Sequence, residues 1–445
     1  MTAATFKRGI HPPESKNTGG SAIEMIYPDK GEEMIFPVQQ HLGAPCKAIV
    51  QVGDRVLMGQ KIADSDAYVC APIHSSVSGT VKGMTETVIP TGATVSAIVI
   101  ENDGLYEESP DIYKWKNNER DGYDKLSRDT VLKIIREAGI VGMGGAGFPA
   151  HVKLNPPKDK KIDYIIVNAS ECEPYLCTDN RVMLEEGERL VSGLRIILRL
   201  FDGVKGLIGI ETNKPEAMER ITKITANDAN ITVIPLKPKY PQGSEKQLIM
   251  ACTGRQVPSG GLPADAGCIV NNVDTVVAID RAVRRGRPLM RRVVTLDGGA
   301  VRRPGNYKVL TGMSYDSLVK AAGGLKEPPA KIISGGPMMG VAMFNLNIPV
   351  IKTSSALLCL TGKEAELPPE RNCIRCGKCV SHCPVGLLPL ELNMSALANN
   401  DDLFVKNNGL ECIECGSCSY VCPAKRHLAQ SIRSARRRLL AARKK

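Results

Sequence analysis

Aromatic residues are scarce: one Trp, eleven Tyr and six Phe in 445 residues. Cores must therefore be packed from aliphatic side chains, which the 43% hydrophobic content supplies. The scarcity also argues against nucleic acid, because single-strand binders interleave cations with aromatic stacking platforms. Long apolar runs are missing as well. LRIILRL at 194–200 is broken by Arg195 and Arg199, whereas a bilayer span takes roughly 18–20 apolar residues. The chain is expected to have no transmembrane segment of its own and to be soluble or peripheral. No signal peptide is evident, so the fifteen cysteines point to a reducing compartment rather than a disulfide framework.

Acid is absent from one end. Between Lys425 and Lys445 stand nine Lys or Arg and no Asp or Glu; without them the net charge of +11 falls to about +2. The basic excess is thus local. The tail SIRSARRRLLAARKK sets Ile432, Ala435, Leu439 and Leu440 at helical spacing. It reads either as a helix packed on the module before it or as a basic dock for an acidic partner or anionic lipid.

What is present is a repeated phrase. CIRCGKCVSHCP at 373–384 returns as CIECGSCSYVCP at 412–423. The spacing is C-x2-C-x2-C-x3-C-P both times. Three thiolates two residues apart hold one [4Fe–4S] cluster, and the fourth crosses to the other cluster. Cys373, Cys376, Cys379 and Cys422 are expected to hold one cluster, and Cys412, Cys415, Cys418 and Cys383 the other. A four-thiolate zinc site is the alternative for paired CxxC, but zinc does not require the repeated spacing.

Residues 1 to about 105 read as short strands and turns, punctuated by Gly53, Gly59, Gly79 and Gly83. The pattern resembles the flattened barrel of lipoyl and biotinyl carriers. Those carry a lysine at a hairpin tip, where this chain has Asp64, Ser65 and Asp66, so the module is expected to be structural or a docking surface. Residues 106–125 read as a linker. Strand and helix then alternate from about 127 to 285, an α/β pattern, with Ser127 or Asp129 capping a first helix. Residues 291–355 read as strands and turns with one helix, and 363–370 as a hinge.

GIVGMGGAGFPAHVK at 139–153 holds G-x-G-x-x-G at Gly142, Gly144 and Gly147. A dinucleotide-binding βαβ unit needs a strand before that motif, and here a helix precedes it. A phosphate or flavin loop is still possible: glycines let backbone N–H groups crowd an anion, a helix from Pro149 would add its positive end, and Lys153 could supply countercharge. NASECEP follows the strand at 162–168 and puts Asn168, Glu171 and Glu173 where α/β domains bind ligands. YPQGSEKQ with Glu245 and CIVNNVDT with Asn271 and Asn272 come later.

These residues resemble the FMN-bearing NADH-oxidising subunit of respiratory complex I. GMGGAGFPAHVK is similar to its flavin loop GRGGAGFPTGLK, NASECEP to NADEGEP, GSEK to GEET and NNVDT to NNVET. Together with the carrier-like front, SGGPMMG at 334–340 and the doubled cysteine motif, the chain resembles RnfC, the peripheral subunit of Rnf membrane complexes. The resemblance implies a multidomain α/β chain in four parts: a barrel-sandwich domain at 1–108, an α/β FMN/NADH domain at 125–290, a β-grasp-like (SLBB-type) domain at 291–358 and a two-cluster ferredoxin-type domain at 365–445. It implies that Gly142, Gly144, Gly145, Lys153, Asn168, Glu171, Gly243, Asn271 and Asn272 surround FMN, and that Phe148, Glu173 and Glu245 face NAD(H). Ser170 and Ser244 stand where the relative has acids. Pro156 replaces a second adenine-stacking aromatic, and residues 245–271 contain none. The implied function is exchange of electrons between NAD(H), FMN and two clusters, coupling ferredoxin:NAD oxidoreduction to ion translocation. The implied partners are other subunits of the complex, including a ferredoxin-like iron–sulfur subunit, at the cytoplasmic face of the membrane. The alternative is a non-catalytic iron–sulfur adaptor with a vestigial flavin site.

Overall fold

The computed structural model describes residues 2–112 and 123–442. Much of the 106–125 linker expected from sequence therefore lies outside the described residues. The chain opens with β1 (Ile23–Ile26), followed by β2 (Glu33–Pro37), β3 (Lys47–Ala48), β4 (Arg55–Val56), β5 (Lys61–Asp64), β6 (Ile73–His74), β7 (Gly79–Val88) and β8 (Thr94–Asn102). Strands β2, β8, β7 and β4 form one sheet, and β3, β5 and β6 a second. They enclose Phe36, Val56, Ile62, Ile98 and Ile100. β1 joins neither of these sheets and pairs in parallel with a strand at 305–310. That partner is about 280 residues away, so no local pattern announces it.

The carrier-like hairpin tip is pinned. Asp64 accepts from Lys61 Nζ at 2.8 Å and from Arg136 Nη2 at 3.0 Å, and Ser65 O accepts from Arg136 at 2.9 Å. A tip held by the next domain cannot swing, which agrees with the missing lysine.

Arg136 belongs to α1 (Arg128–Glu137), whose N-terminus is capped by the Ser127 hydroxyl accepting from Thr130 N–H. Then come α2 (Ala150–Lys153), β9 (Tyr164–Ala169), α3 (Thr178–Leu198), β10 (Lys205–Glu211), α4 (Pro215–Thr225), β11 (Ile231–Leu236), α5 (Glu245–Thr253), β12 (Cys268–Asn272) and α6 (Val273–Arg285). The four strands pair in parallel in the order β11-β10-β9-β12. The core under them is Val, Ile, Leu, Met and Ala, with no aromatic among its fully buried members, as the composition requires.

β13 (Arg291–Asp297), β14 (Gly305–Leu310), α7 (Tyr315–Ala321), β15 (Lys331–Ser334), β16 (Val341–Met343) and β17 (Ala356–Leu360) follow. With β1 they form a six-stranded mixed sheet ordered β1-β14-β13-β17-β15-β16. Val294, Leu296 and Val309 share one core with the barrel sandwich. The expected hinge begins as α8 (Gly362–Ala365), fixed by a Thr361/Glu364 capping box. The cysteine-rich end contains α9 (Lys378–Ser381), α10 (Pro389–Leu397), α11 (Asp401–Lys406), α12 (Ser417–Tyr420) and α13 (Leu428–Ala442). Among the described residues, no helix is long and apolar enough to cross a membrane.

Candidate functional site

In chain order the parallel strands stack 3-2-1-4, so the connections reverse direction between β9 and β12. A crevice opens at the carboxyl ends of strands flanking such a reversal. Asn168, next to last in β9, lies opposite Asn272, and Asn271 pairs with Val167. The glycine loop lies across this point: a Cβ at Gly144 would sit 3.5 Å from Asn272 Cβ. Gly142 N–H donates to Phe148 O at 2.8 Å, Gly147 N–H to Gly142 O at 3.1 Å, and Met143 N–H to Thr275 Oγ1 at 2.9 Å. Gly145 has φ +106°, which demands glycine, and a Cβ there would meet nothing within 4 Å. The loop thus turns an exposed, side-chain-free face outward. The helix expected to add a positive end is corrected: α2 is a single turn of four residues, too short to build a macrodipole.

Around the loop, Lys153 Nζ donates to Glu245 Oε1 at 2.8 Å, both half-exposed. Asn168 Nδ2 donates to Gly243 O at 2.7 Å, and Gly243 N–H donates to Cys172 Sγ at 3.2 Å. Phe148, in the glycine loop, is half-buried. Asn271 is 4% exposed and its Nδ2 has no hydrogen-bond partner. An unpaired buried donor costs on the order of 1–3 kcal/mol, so Asn271 calls for an acceptor that the described residues do not supply. An orphaned amide, an open glycine face and a lysine at one rim fit a flavin mononucleotide, with its ring acceptors and its phosphate.

The two acids of NASECEP point elsewhere. Glu171 is buried at φ +48°. Its carboxylate accepts from Thr178 Oγ1 at 3.2 Å, Asp179 N–H at 2.7 Å and Asn180 N–H at 3.3 Å, capping α3. Glu173 accepts from Met338 N–H at 3.0 Å and Met339 N–H at 2.9 Å in the SGGPMMG turn. Burial pushes the Glu173 carboxyl up to about 7. Sequence reasoning missed Asp179, which accepts from Asn272 Nδ2 at 2.8 Å and is pushed up to about 8 by burial and the Glu171 charge. No spacing rule could have found it.

Cys373, Cys376, Cys379 and Cys422 line one cavity of about 360 Å³, walled by Ile374, Leu390 and Met394. The other four thiols also gather. Burial, then the proximity of Cys415 and Cys383, pushes Cys412 up to about 11; Cys418 is raised by burial and by Cys415, Cys412 and Cys383. Bound cations would reverse that order and hold thiolates. In each run a backbone N–H reaches back to the first sulfur, Arg375 to Cys373 at 3.3 Å and Glu414 to Cys412 at 3.4 Å.

The second run abuts the flavin-loop domain. Tyr240 Oη donates to Cys415 O at 2.8 Å in a buried contact. Lys246 Nζ bonds Glu411 at 3.3 Å, and Gly416 packs on Met338. Helix α13 is part of this module: Ile432 and Ala435 are buried beside Cys383 and Phe404, and Arg433 and Arg436 hold the Glu414 carboxylate at 3.0 Å each.

The fold, crevice and paired cysteine runs define a flavin-and-iron–sulfur electron-transfer protein. Comparison with known proteins agrees. The Nuo51 FMN-binding domain matches residues 135–281, the RnfC barrel sandwich hybrid domain 4–105, the SLBB domain 293–342 and the 4Fe-4S dicluster domain 372–426. The chain is 44% identical to the C subunit of the Na(+)-translocating ferredoxin:NAD(+) oxidoreductase complex of Acetobacterium woodii, over 99% of this chain and 98% of that one. It is 47% identical to the proton-translocating counterpart of Clostridium ljungdahlii, over 90% and 85%. The C subunit of the ion-translocating oxidoreductase complex of Pseudomonas aeruginosa is 38% identical over 91% of this chain and 51% of that one. A crystal structure of an NAD+-reducing [NiFe]-hydrogenase in the air-oxidized state shares the fold at TM-score 0.50 and 19% identity, covering 74% of this chain and 63% of that one. The chain belongs to the RnfC family, the C subunits of ion-translocating ferredoxin:NAD oxidoreductase complexes. It is an electron-transfer subunit whose redox groups are FMN and two [4Fe–4S] clusters.

Proposed function

We propose that this chain is the peripheral electron-input/output subunit of an Rnf-type membrane complex, at its cytoplasmic face. It exchanges electrons with NAD(H) at the crevice between β9 and β12 and with neighbouring subunits, including a ferredoxin-like iron–sulfur subunit, at the exposed cysteine run. Coupling to ion translocation belongs to the assembled complex. FMN and the clusters, when bound, supply the conversion between two-electron hydride exchange and single-electron transfer. The protein's part is placement. Gly142, Gly144 and Gly145 present backbone to the flavin, Asn168, Asn271 and Asn272 present amides, Gly243 keeps the floor open, and Lys153 meets the phosphate once it releases Glu245. Glu171 sets the backbone between β9 and α3. Phe148 and Glu245 border the nicotinamide side, and Glu173 stiffens the turn behind it.

One observation carries this reading. The segment from Tyr240 to Gly243 touches both ends of the path: Gly243 O accepts from Asn168 in the crevice, and Tyr240 Oη donates to Cys415 O in the buried run. This contact supports a route in which the run of Cys412, Cys415, Cys418 and Cys383 takes electrons from the crevice and the exposed run of Cys373, Cys376, Cys379 and Cys422 passes them outward. The adaptor reading draws on Glu173, whose carboxylate oxygens are both engaged by the SGGPMMG turn, and on the lack of aromatics at 245–271. Anaerobically purified chain separates the two. The catalytic reading expects acid-released FMN and NADH-dependent bleaching of the flavin in stopped flow. Flavin-replete protein that NADH does not bleach would sink it. Lys153→Ala is expected to lower flavin occupancy with iron unchanged.

A further inference from the structure

A second group of metal-binding side chains lies outside the electron path. His41, Cys46 and Cys70 sit in the barrel sandwich where it meets the glycine loop, and their ligand atoms lie within 4.8 Å of one another. All three are buried, at 7%, 4% and 0% exposure. Cys46 Sγ and Cys70 Sγ are 3.4 Å apart. Two thiolates on one tetrahedral zinc, each about 2.3 Å from the metal, stand roughly 3.8 Å from each other, so these sulfurs are already gathered to within a few tenths of an ångström. His41 Nε2 lies 3.2 Å from Ala71 N–H and 3.1 Å from Ala44 O, while its Nδ1 is buried without a hydrogen-bond partner. Without a metal the thiols have weak alternatives, the sulfur–sulfur contact itself and the 3.4 Å contact from Cys46 Sγ to Ala71 O.

We propose that His41, Cys46 and Cys70 bind one thiophilic divalent cation of the zinc class, in a structural site distinct from both iron–sulfur clusters. Binding releases two thiol protons, and the resulting pair of thiolates neutralises the metal. Three protein ligands leave the fourth tetrahedral position to water or a backbone carbonyl. The buried Lys352 closes the same seam, its Nζ donating to Gly139 O at 2.8 Å and to Pro72 O, two residues beyond Cys70.

The site's purpose follows from its place. Leu42 N–H, next to His41, donates to Gly147 O at 3.0 Å, and a Cβ on Gly147 would come within 3.4 Å of His41 Cα. His151 of α2 bonds Tyr68 O at 3.1 Å, two residues before Cys70. The glycine loop thus rests on the two segments that carry the ligands. A metal joining them fixes the floor under that loop; this last step rests on the flavin reading above, while metal binding itself does not.

The test is elemental analysis with zinc-edge X-ray absorption on full-length chain, purified anaerobically and passed over a chelating resin. About one zinc per chain is expected beside the iron, with a first shell of two sulfurs and one nitrogen. Cys46→Ser and Cys70→Ser should each lose the zinc and keep the iron; the wild-type absorption spectrum decides the matter if either variant misfolds. Zinc below about a tenth per chain, both as purified and after incubation with zinc, would overturn the proposal. So would a shell of four sulfurs, which places the zinc in a cluster run, or a Cys46–Cys70 disulfide in the native protein. Flavin content is read separately, so failure of the flavin site leaves this result intact.

Discussion

The two cysteine runs are near-copies in sequence and in backbone, yet they occupy different environments. Arg375 and Glu414 have φ of +54° and +58°, and Gly377 and Gly416 of +73° and +77°. Each run makes the same N–H to sulfur contact. But Cys373 and Cys376 are exposed, with Ile374 at 68%, whereas Cys415 is 7% exposed and packs with Tyr240 and Ile10. The motif sets the loop; the neighbours set the burial. Cluster potential follows burial, solvent and hydrogen bonds to sulfur, so two similar phrases become two unequal electron carriers. The buried one packs against Tyr240 and Met338, and the exposed one is lined by Ile374, Leu390 and Met394.

The strongest way to break this comparison is to remove one crossing ligand at a time. Cys383→Ser should cost the cluster of Cys412, Cys415 and Cys418, about four of about eight irons. It should also lower the unfolding temperature, because that run is wedged against Tyr240 and Met338. Cys422→Ser should cost the same iron from the other cluster with a much smaller thermal effect. Iron and sulfide analysis with calorimetry reads both. Equal thermal losses would mean that burial does not distinguish the runs.

Next is the position where the runs carry opposite charge, Arg375 in one and Glu414 in the other. Glu414 is 15% exposed and held by Arg433 and Arg436 of α13. Glu414→Ala should destabilise the module by roughly 1–3 kcal/mol, since it leaves two half-buried arginines unpaired. Arg375→Ala, on the exposed run, should stay within about 0.5 kcal/mol. Deleting the chain from Ser431 removes Ile432, Ala435 and both arginines, so it should cost the buried cluster and not merely membrane docking. Full iron retention after that deletion would reduce α13 to a solvated appendage.

What the sequence made legible was local. Cysteine spacing predicted which thiols gather, because a loop with three ligands is closed by its own backbone. Ser127 predicted its helix start for the same reason. The Thr361/Glu364 capping box was equally readable, yet the Glu and Pro content around it suggests a hinge. What stayed hidden was non-local. β1 joins β14 across nearly the whole chain, and nothing in IEMI states its partner. Glu171 and Glu173 sit at a strand's carboxyl end, as ligand-binding acids do, but their directions are decided by α3 and the SGGPMMG turn. Tyr240 carries no motif; its value comes from touching Cys415. His41, Cys46 and Cys70 are spread over thirty residues with no repeated spacing, so only folding brings them together.

A finer probe is that tyrosine. Tyr240→Phe removes one hydroxyl and leaves Cys415 O buried without its donor. A loss of roughly 1–2 kcal/mol is expected, together with a shifted potential for the buried cluster and an unchanged one for the exposed cluster. Potentiometric titration followed by electron paramagnetic resonance separates the two signals. A shift in both would show that the hydroxyl acts on the whole module.

The last effect concerns pH. Burial raises the Glu173 carboxyl to about 7 against an ordinary value of 4.5, and the N–H bonds from Met338 and Met339 oppose that rise without cancelling it. Between these limits the folded chain binds more proton than the unfolded one, so stability falls as pH rises. The contribution is greatest below about pH 4.5 and is lost by the time pH passes about 7. Glu173→Gln removes the titration. Wild type should therefore lose unfolding temperature relative to the variant between about pH 5 and pH 8. Met338 O lies 3.3 Å from where a Cβ on Gly416 would stand, so the turn that Glu173 holds also backs the buried run. Any pH-dependent shift in cluster signal should appear there and not at Cys373 and Cys376, which no contact links to Glu173 among the described residues. A wild-type-to-variant difference that stays constant across this range would mean that Glu173 is already ionised at pH 5 and that its carboxylate is held by the two N–H groups more strongly than burial opposes it.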